Sequence, residues 1–184
     1  ITASASMPTG IAQAFGNFIW NSANSTVLPL TMTSIAGNLE IYKGNVTLTS
    51  GGAGTLTVPG NFIMTGGTFD FSNQSQAVRT GTLSVGGNFT VTGGTVTETG
   101  GSNGILNFTN TAAAQTYTLS SPATMVNTIN VNVNANVNLQ FADSSSAITG
   151  GGTFTLNAGS TLGIKSGNGI NATANSGQIR VTGT

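Results

Sequence analysis

The whole carboxylate inventory of the chain is Glu40, Asp70, Glu98 and Asp143. A polysaccharide lyase or hydrolase would need such groups in pairs, or gathered round a calcium ion with a Lys or Arg base beside them. Their spacing does not make a dyad. Aligned on an internal repeat, Glu40 falls on Ile63 and Thr90 while Asp70 falls on Thr47 and Thr97, so both should point outward but from different rows. Glu98 falls on the inward position of Phe71 and Leu48. Either the strand has ended by Thr97 and Glu98 lies in a loop, which is the preferred reading, or a carboxylate is buried and must find a partner. With no histidine and no cysteine in the chain, zinc sites of ordinary type, thiol chemistry and disulfides are excluded. No cofactor is expected, and the chain is read as a non-enzyme.

The elements that hold these residues repeat. Thr55 to Phe71 (TLTVPGNFIMTGGTFDF) lies without a gap on Thr82 to Glu98 (TLSVGGNFTVTGGTVTE), and Leu56, Val58, Phe62, Met64 and Phe69 return as Leu83, Val85, Phe89, Val91 and Val96. Self-similarity at such a period marks a solenoid. A further copy precedes it: Gly37-Asn38 matches Gly60-Asn61, and Ile35, Leu39, Ile41, Val46 and Leu48 fall on Val58, Phe62, Met64, Phe69 and Phe71. The motif returns at Gly151 to Leu156, with Thr161 to Ile164 after it and Gln178 to Val181 near the end. Every segment alternates apolar with polar, the pattern of strands and not of helices. From Ile129 to Phe141 one parity is Ile, Val, Val, Ala, Val, Leu, Phe and the other is Asn or Gln, which predicts a corner near Asn134 to Asn136. The fold expected is all-β, a parallel β-solenoid of about seven or eight coils spanning 1–184, with 1–30 matching poorly. Phe62 should lie against Phe89, Val58 against Val85 and Leu39 on the other face of Phe62. Asn after Gly at the corners should stack into a ladder.

Four basic and four acidic residues in 184 leave no net charge, and the polar surface is supplied by Thr, Asn and Ser. Lys43, Arg79, Lys165 and Arg180 are scattered, which excludes the clustered cations of a nucleic-acid footprint. There is no apolar run of membrane-spanning length. Six tripeptides beginning at Asn24, Asn45, Asn73, Asn88, Asn107 and Asn171 fit the glycosylation pattern, as chance provides in so Asn/Thr/Ser-rich a chain. Glu40 and Lys43 read as a solvated surface pair.

The segment Ile105 to Tyr117 (ILNFTNTAAAQTY), followed by Val126 to Asn132 (VNTINVN), resembles the repeats of very large secreted adhesins of the Bacteroidota. So do Gly37-Asn38-Leu39 to Gly51 and Gly87-Asn88-Phe89 to Val96, and the likeness spans residues 30–165. It implies export by a type IX route, an extracellular place on the bacterial surface, and attachment or gliding adhesion. It carries no catalytic residues over. Tyr117 departs from it, standing where an aliphatic residue is expected.

The function expected is thus an adhesive surface stalk, one segment of a longer repetitive chain, its partners being further segments of that chain and polysaccharide or abiotic surfaces. Surface contacts are expected at Trp20, Thr90, Thr92, Asn130 and Asn132. Trp20 has two readings, a platform for a sugar ring or packing of the first coil, and packing is preferred. The alternatives are a carbohydrate-active β-helix enzyme, which needs an acidic and basic cleft, and an ice- or crystal-binding solenoid, which needs flat rows of Thr.

Overall fold

A computed structural model describes residues 15–75, 79–170 and 177–181. The tripeptide at Asn171 and part of the poorly matched stretch 1–30 lie outside them. Among the described residues there are fifteen strands and no helix, and every pairing is parallel. The chain is a parallel β-solenoid of about six turns, close to the number expected from the repeats.

One coil runs through β3 (Gly54–Val58), β4 (Phe62–Met64) and β5 (Thr68–Ser72), and the next through β6 (Gly81–Val85), β7 (Phe89–Val91) and β8 (Thr95–Thr97). Then come β9 (Gly104–Phe108), β10 (Gln115–Leu119) and β11 (Thr124–Met125), followed by β12 (Ile129–Val133) and β13 (Asn138–Phe141), and β14 (Phe154–Leu156) and β15 (Thr161–Gly163). Two long strands precede them, β1 (Phe18–Val27) and β2 (Leu39–Thr49). Strands β3, β6, β9, β12 and β14 form a five-stranded sheet, the first side. The two halves of β2 pair separately with β4 and β5, so the ten-stranded sheet turns a corner. It supplies a second side (β4, β7, β10, β13, β15) and a third (β5, β8, β11).

The inward rows stack as the repeat requires. Phe18, Leu39, Phe62, Phe89, Tyr117 and Phe141 follow one another in register, and Val58 pairs with Val85. The Phe62 and Phe89 rings are 4.8 Å apart and 8° from parallel, and Phe89 and Tyr117 are 5.3 Å apart at 4°. Tyr117 is therefore a third ring in the stack. Its hydroxyl, fully buried, donates to the Ala147 carbonyl at 3.1 Å, and burial pushes the phenol pKa far up.

The asparagine ladder is present. Asn17 Oδ1 accepts from Asn38 N at 2.7 Å, Asn38 Oδ1 from Asn61 N at 2.9 Å, Asn61 Oδ1 from Asn88 N at 2.8 Å, and Asn88 Oδ1 from Thr116 N at 2.8 Å. Each corner amide thus satisfies a backbone N–H of the next coil. The expected corner after β12 falls at Asn134 to Asn136, where Asn136 has φ 63°. Ala135 does not continue the inward row as its parity suggests; it is exposed at the tip of that corner.

Candidate functional site

An outward side chain on a solenoid is positioned by register alone, so the surface is read as columns whose successive members stand about 4.8 Å apart. On the first side, Ser34, Thr57, Ser84, Asn107, Asn132 and Thr155 stand in one column. Beside it stand Thr55, Thr82, Ile105 and Asn130. The columns are cross-linked along the axis: Asn132 Nδ2 donates to Asn107 Oδ1 at 3.0 Å, and Asn107 Nδ2 to Ser84 Oγ at 3.3 Å. Asn130 Oδ1 accepts from Thr153 N and Thr153 Oγ1 at 3.0 and 3.1 Å. Amides held this way present fixed hydrogen-bonding groups, and little rotamer entropy remains to be lost on contact.

The second side is less uniform. Thr90 is outward, between Ile63 and Thr118, with Glu40 one coil beyond Ile63, and Thr92 is exposed at the corner that follows β7. The third side carries Ser25, Asn45, Thr68, Thr95 and Thr124 in a column, the last two hydroxyls 3.1 Å apart. Of the five expected contact residues, four are outward and divided between two sides: Asn130 and Asn132 on the first, Thr90 and Thr92 on the second.

Trp20 is not a surface residue. It pairs in register with Ile41 on the buried parity of β1 and is 1% exposed, so no sugar ring can reach its face. Its indole Nε1, and likewise Thr26 Oγ1, is buried with no hydrogen-bond partner. The Glu40 and Lys43 pair is also replaced: Glu40 accepts from the Tyr42 hydroxyl at 2.5 Å and from Asn38 Nδ2 at 3.4 Å. The carboxylate raises the Tyr42 pKa by taking that hydrogen bond.

Asp70 corrects the sequence reading. Register does put it between Thr47 and Thr97, but all three are buried, and Asp70 is bonded to Thr99, two residues beyond the end of β8. Asp70 Oδ1 accepts from Thr99 N at 3.1 Å and Ser72 N at 3.2 Å, and its Oδ2 from Thr99 Oγ1 at 2.5 Å. Desolvation raises its pKa, and the bonds from Thr99 and Ser72 oppose the rise. Glu98 combines the two alternatives: β8 ends at Thr97, and the carboxylate is nevertheless 2% exposed. It accepts from Gly101 N and Ser102 N, both at 3.0 Å, and so pins its own loop. Sequence reasoning missed Gln115 and Gln178 altogether. Gln115 Nε2 donates to Val85 O and Gly87 O while Oε1 takes Asn110 N at 2.9 Å. Gln178 likewise donates to Asp143 O and Ser146 O and accepts from Lys165 N and Ser166 N. Both amides plug corners, and a polar residue on inward parity beside a long loop was the available signal.

The fourth acid, Asp143, is held by Ser145 and Ser146, whose amides reach Oδ1 at 2.8 Å, together with both serine hydroxyls. The Ser145 hydroxyl contributes most to lowering its pKa. The four carboxylates are thus occupied separately, and among the described residues no three acids gather where they could hold a metal ion. No described helix is long and apolar enough to cross a membrane. No family model, no curated protein and no solved structure gives a significant match to the chain.

Asp70 and Asp143 should respond oppositely to pH. A raised folded pKa means the native state binds the extra proton, so the contribution of Asp70 is full at acid pH and is lost as pH rises through the folded value. A lowered folded pKa means that of Asp143 is present at neutral pH and is lost as pH falls through the ordinary aspartate range. Asparagine at 70 can keep all three contacts, accepting from the two amides and donating to Thr99 Oγ1. In a urea series from acid to neutral pH, Asp70→Asn should therefore gain on the wild type while Asp143→Asn falls behind. Slopes of the same sign would show that one of the two environments is wrong.

Proposed function

We propose that this chain is a segment of an extracellular adhesive stalk on a bacterial surface, holding to carbohydrate or to abiotic surfaces through its repeated outward hydroxyl and amide columns. The observation that carries the reading is the first side, where Ser34, Thr57, Ser84, Asn107, Asn132 and Thr155 repeat one kind of chemistry coil after coil. Each contact is weak and solvent-exposed. Many copies on one rigid rod raise the effective concentration of the next contact, and avidity follows without any tight single site. The resemblance to Bacteroidota adhesin repeats supports the same reading, and with it type IX export and gliding attachment.

Catalysis is not part of the proposal, because each carboxylate is committed to its own hydrogen bonds away from the others. A crystal-binding surface is the second reading, favoured by the same columns. Lattice matching calls for one side chain repeated at fixed spacing, whereas Ile105 interrupts one column and Asn, Ser and Thr alternate in the other.

Beads carrying one copy or several tandem copies test the proposal on glass coated with a neutral polysaccharide. Retention should rise more steeply than copy number and change little across a salt series, because eight charges that cancel provide no long-range attraction. Retention lost at modest salt would show that charge does the holding, and release of shortened sugars would reveal turnover.

A further inference from the structure

The repeat fails at one place. In the coils of β4–β5 and β7–β8 the corner between the second and third sides is a tight Gly-Gly turn, Gly66-Gly67 and Gly93-Gly94. In the next coil Ser120 to Ala123 takes its place between β10 and β11, and after β13 the chain runs through Ala142 to Ala147 before Ile148 bridges to Ile179. Where these wider corners stack, they leave a cleft of about 310 Å³, at the lower end of the size range of small-ligand pockets.

Three successive layers build it. Leu119, Ala123 and Met125 supply an apolar part of its lining, Ser121 and Thr149 add hydroxyls, and Arg180 brings the one charged side chain among its lining residues. The layers are tied together. Leu119 N donates to Ser146 Oγ at 3.0 Å, Thr149 Oγ1 donates to Met125 O at 2.6 Å, and Arg180 N donates to Ile148 O at 2.8 Å. The Arg180 Nε is used by the Gly177 carbonyl, which fixes the plane of the guanidinium, and no described carboxylate forms an ion pair with it. Asp143 is the nearest acid in sequence to this wall, and its oxygens are taken by the four donors of Ser145 and Ser146.

We infer that this cleft binds a carboxylate-bearing sugar unit, such as a uronic acid of an acidic polysaccharide. The chemistry of the three parts is complementary to such a unit. A planar guanidinium pairs with a carboxylate in fork geometry, an apolar lining takes the C–H face of a pyranose ring, and hydroxyls meet the ring hydroxyls. This deepens the adhesive reading and rests on it: the columns hold many neutral contacts, and the cleft adds one acid-selective contact per segment.

Titration of the protein with methyl β-D-glucuronoside and with its neutral counterpart methyl β-D-glucoside, followed by NMR shifts of Leu119, Met125 and Ala123, tests it. The glucuronoside should bind at least ten times more tightly. Arg180→Gln should abolish that preference while leaving bead retention on neutral polysaccharide unchanged. Arg180→Lys should restore only part of it, since a point charge lacks the fork. Equal binding of the two glycosides, no binding of either, or a preference that survives Arg180→Gln would each overturn the inference. So would acetate competing as well as the glucuronoside, because the ring would then contribute nothing. Loss of retention on neutral polysaccharide in the wild type would instead remove the adhesive reading and leave the titration result standing.

Discussion

Phe89→Ala is expected to cost about 3–5 kcal/mol, the range for emptying a fully buried aromatic position. Phe89 lies between two near-parallel rings, Phe62 at 4.8 Å and Tyr117 at 5.3 Å, and meets Phe108 edge-on at 6.2 Å. The cavity cannot collapse readily, because β4, β7 and β10 are held at strand spacing by their own backbone hydrogen bonds. Thr90→Ala, one residue along on the outer surface, should cost well under about 1 kcal/mol. Urea unfolding reads both directly. A further sign is expected in the slope: coils touch only their neighbours, so weakening a central one can let the two ends unfold apart, which lowers the apparent m-value. Equal losses at 89 and 90 would mean that the inward and outward assignments are wrong.

The register was legible because it is written twice in the chain. Leu56, Val58, Phe62, Met64 and Phe69 reappear as Leu83, Val85, Phe89, Val91 and Val96, and a parallel stack is the arrangement that buries both copies of Phe62 against one another. The asparagine ladder was legible for the same reason, since Asn38, Asn61 and Asn88 follow Gly at equivalent corners. The features that were not legible arise where a side chain is held by residues beyond the end of a strand. Alternation assigns Asp70 to the outer surface, yet it is buried and held by Thr99 of the next coil; a period-two pattern does not report partners beyond the strand it describes. Tyr117 was read as a departure, yet its ring keeps the stack and only its hydroxyl is new. The cleft lined by Arg180 was invisible from the sequence because it is built where the repeat is broken, by residues from three coils that no shared motif connects.

The glycine corners allow a sharper test, separating backbone conformation from crowding. Gly67 and Gly101 have nearly the same positive φ, 78° and 76°. A side chain at either pays the left-handed penalty of about 1–2 kcal/mol. Their surroundings differ completely: a Cβ on Gly67 would sit 2.2 Å from the Gly44 carbonyl oxygen, whereas one on Gly101 meets nothing within 4 Å. Gly101→Ala should therefore cost about 1–2 kcal/mol, and Gly67→Ala about 3 kcal/mol or more, since backbone atoms of the neighbouring coil must move. Asparagine tells the two causes apart, because it tolerates the left-handed region but carries the same Cβ. Gly101→Asn should be nearly neutral, and Gly67→Asn should remain as damaging as alanine. The damage should also spread, since a Cβ on Gly94 would lie 2.3 Å from the Gly67 oxygen and one on Gly44 would lie 2.0 Å from the Ser22 oxygen. Each of these glycines is the space into which the next coil settles. Rescue of Gly67 by asparagine would show instead that φ alone demands glycine there, and that the coils at this corner are further apart than the stacked carbonyls place them.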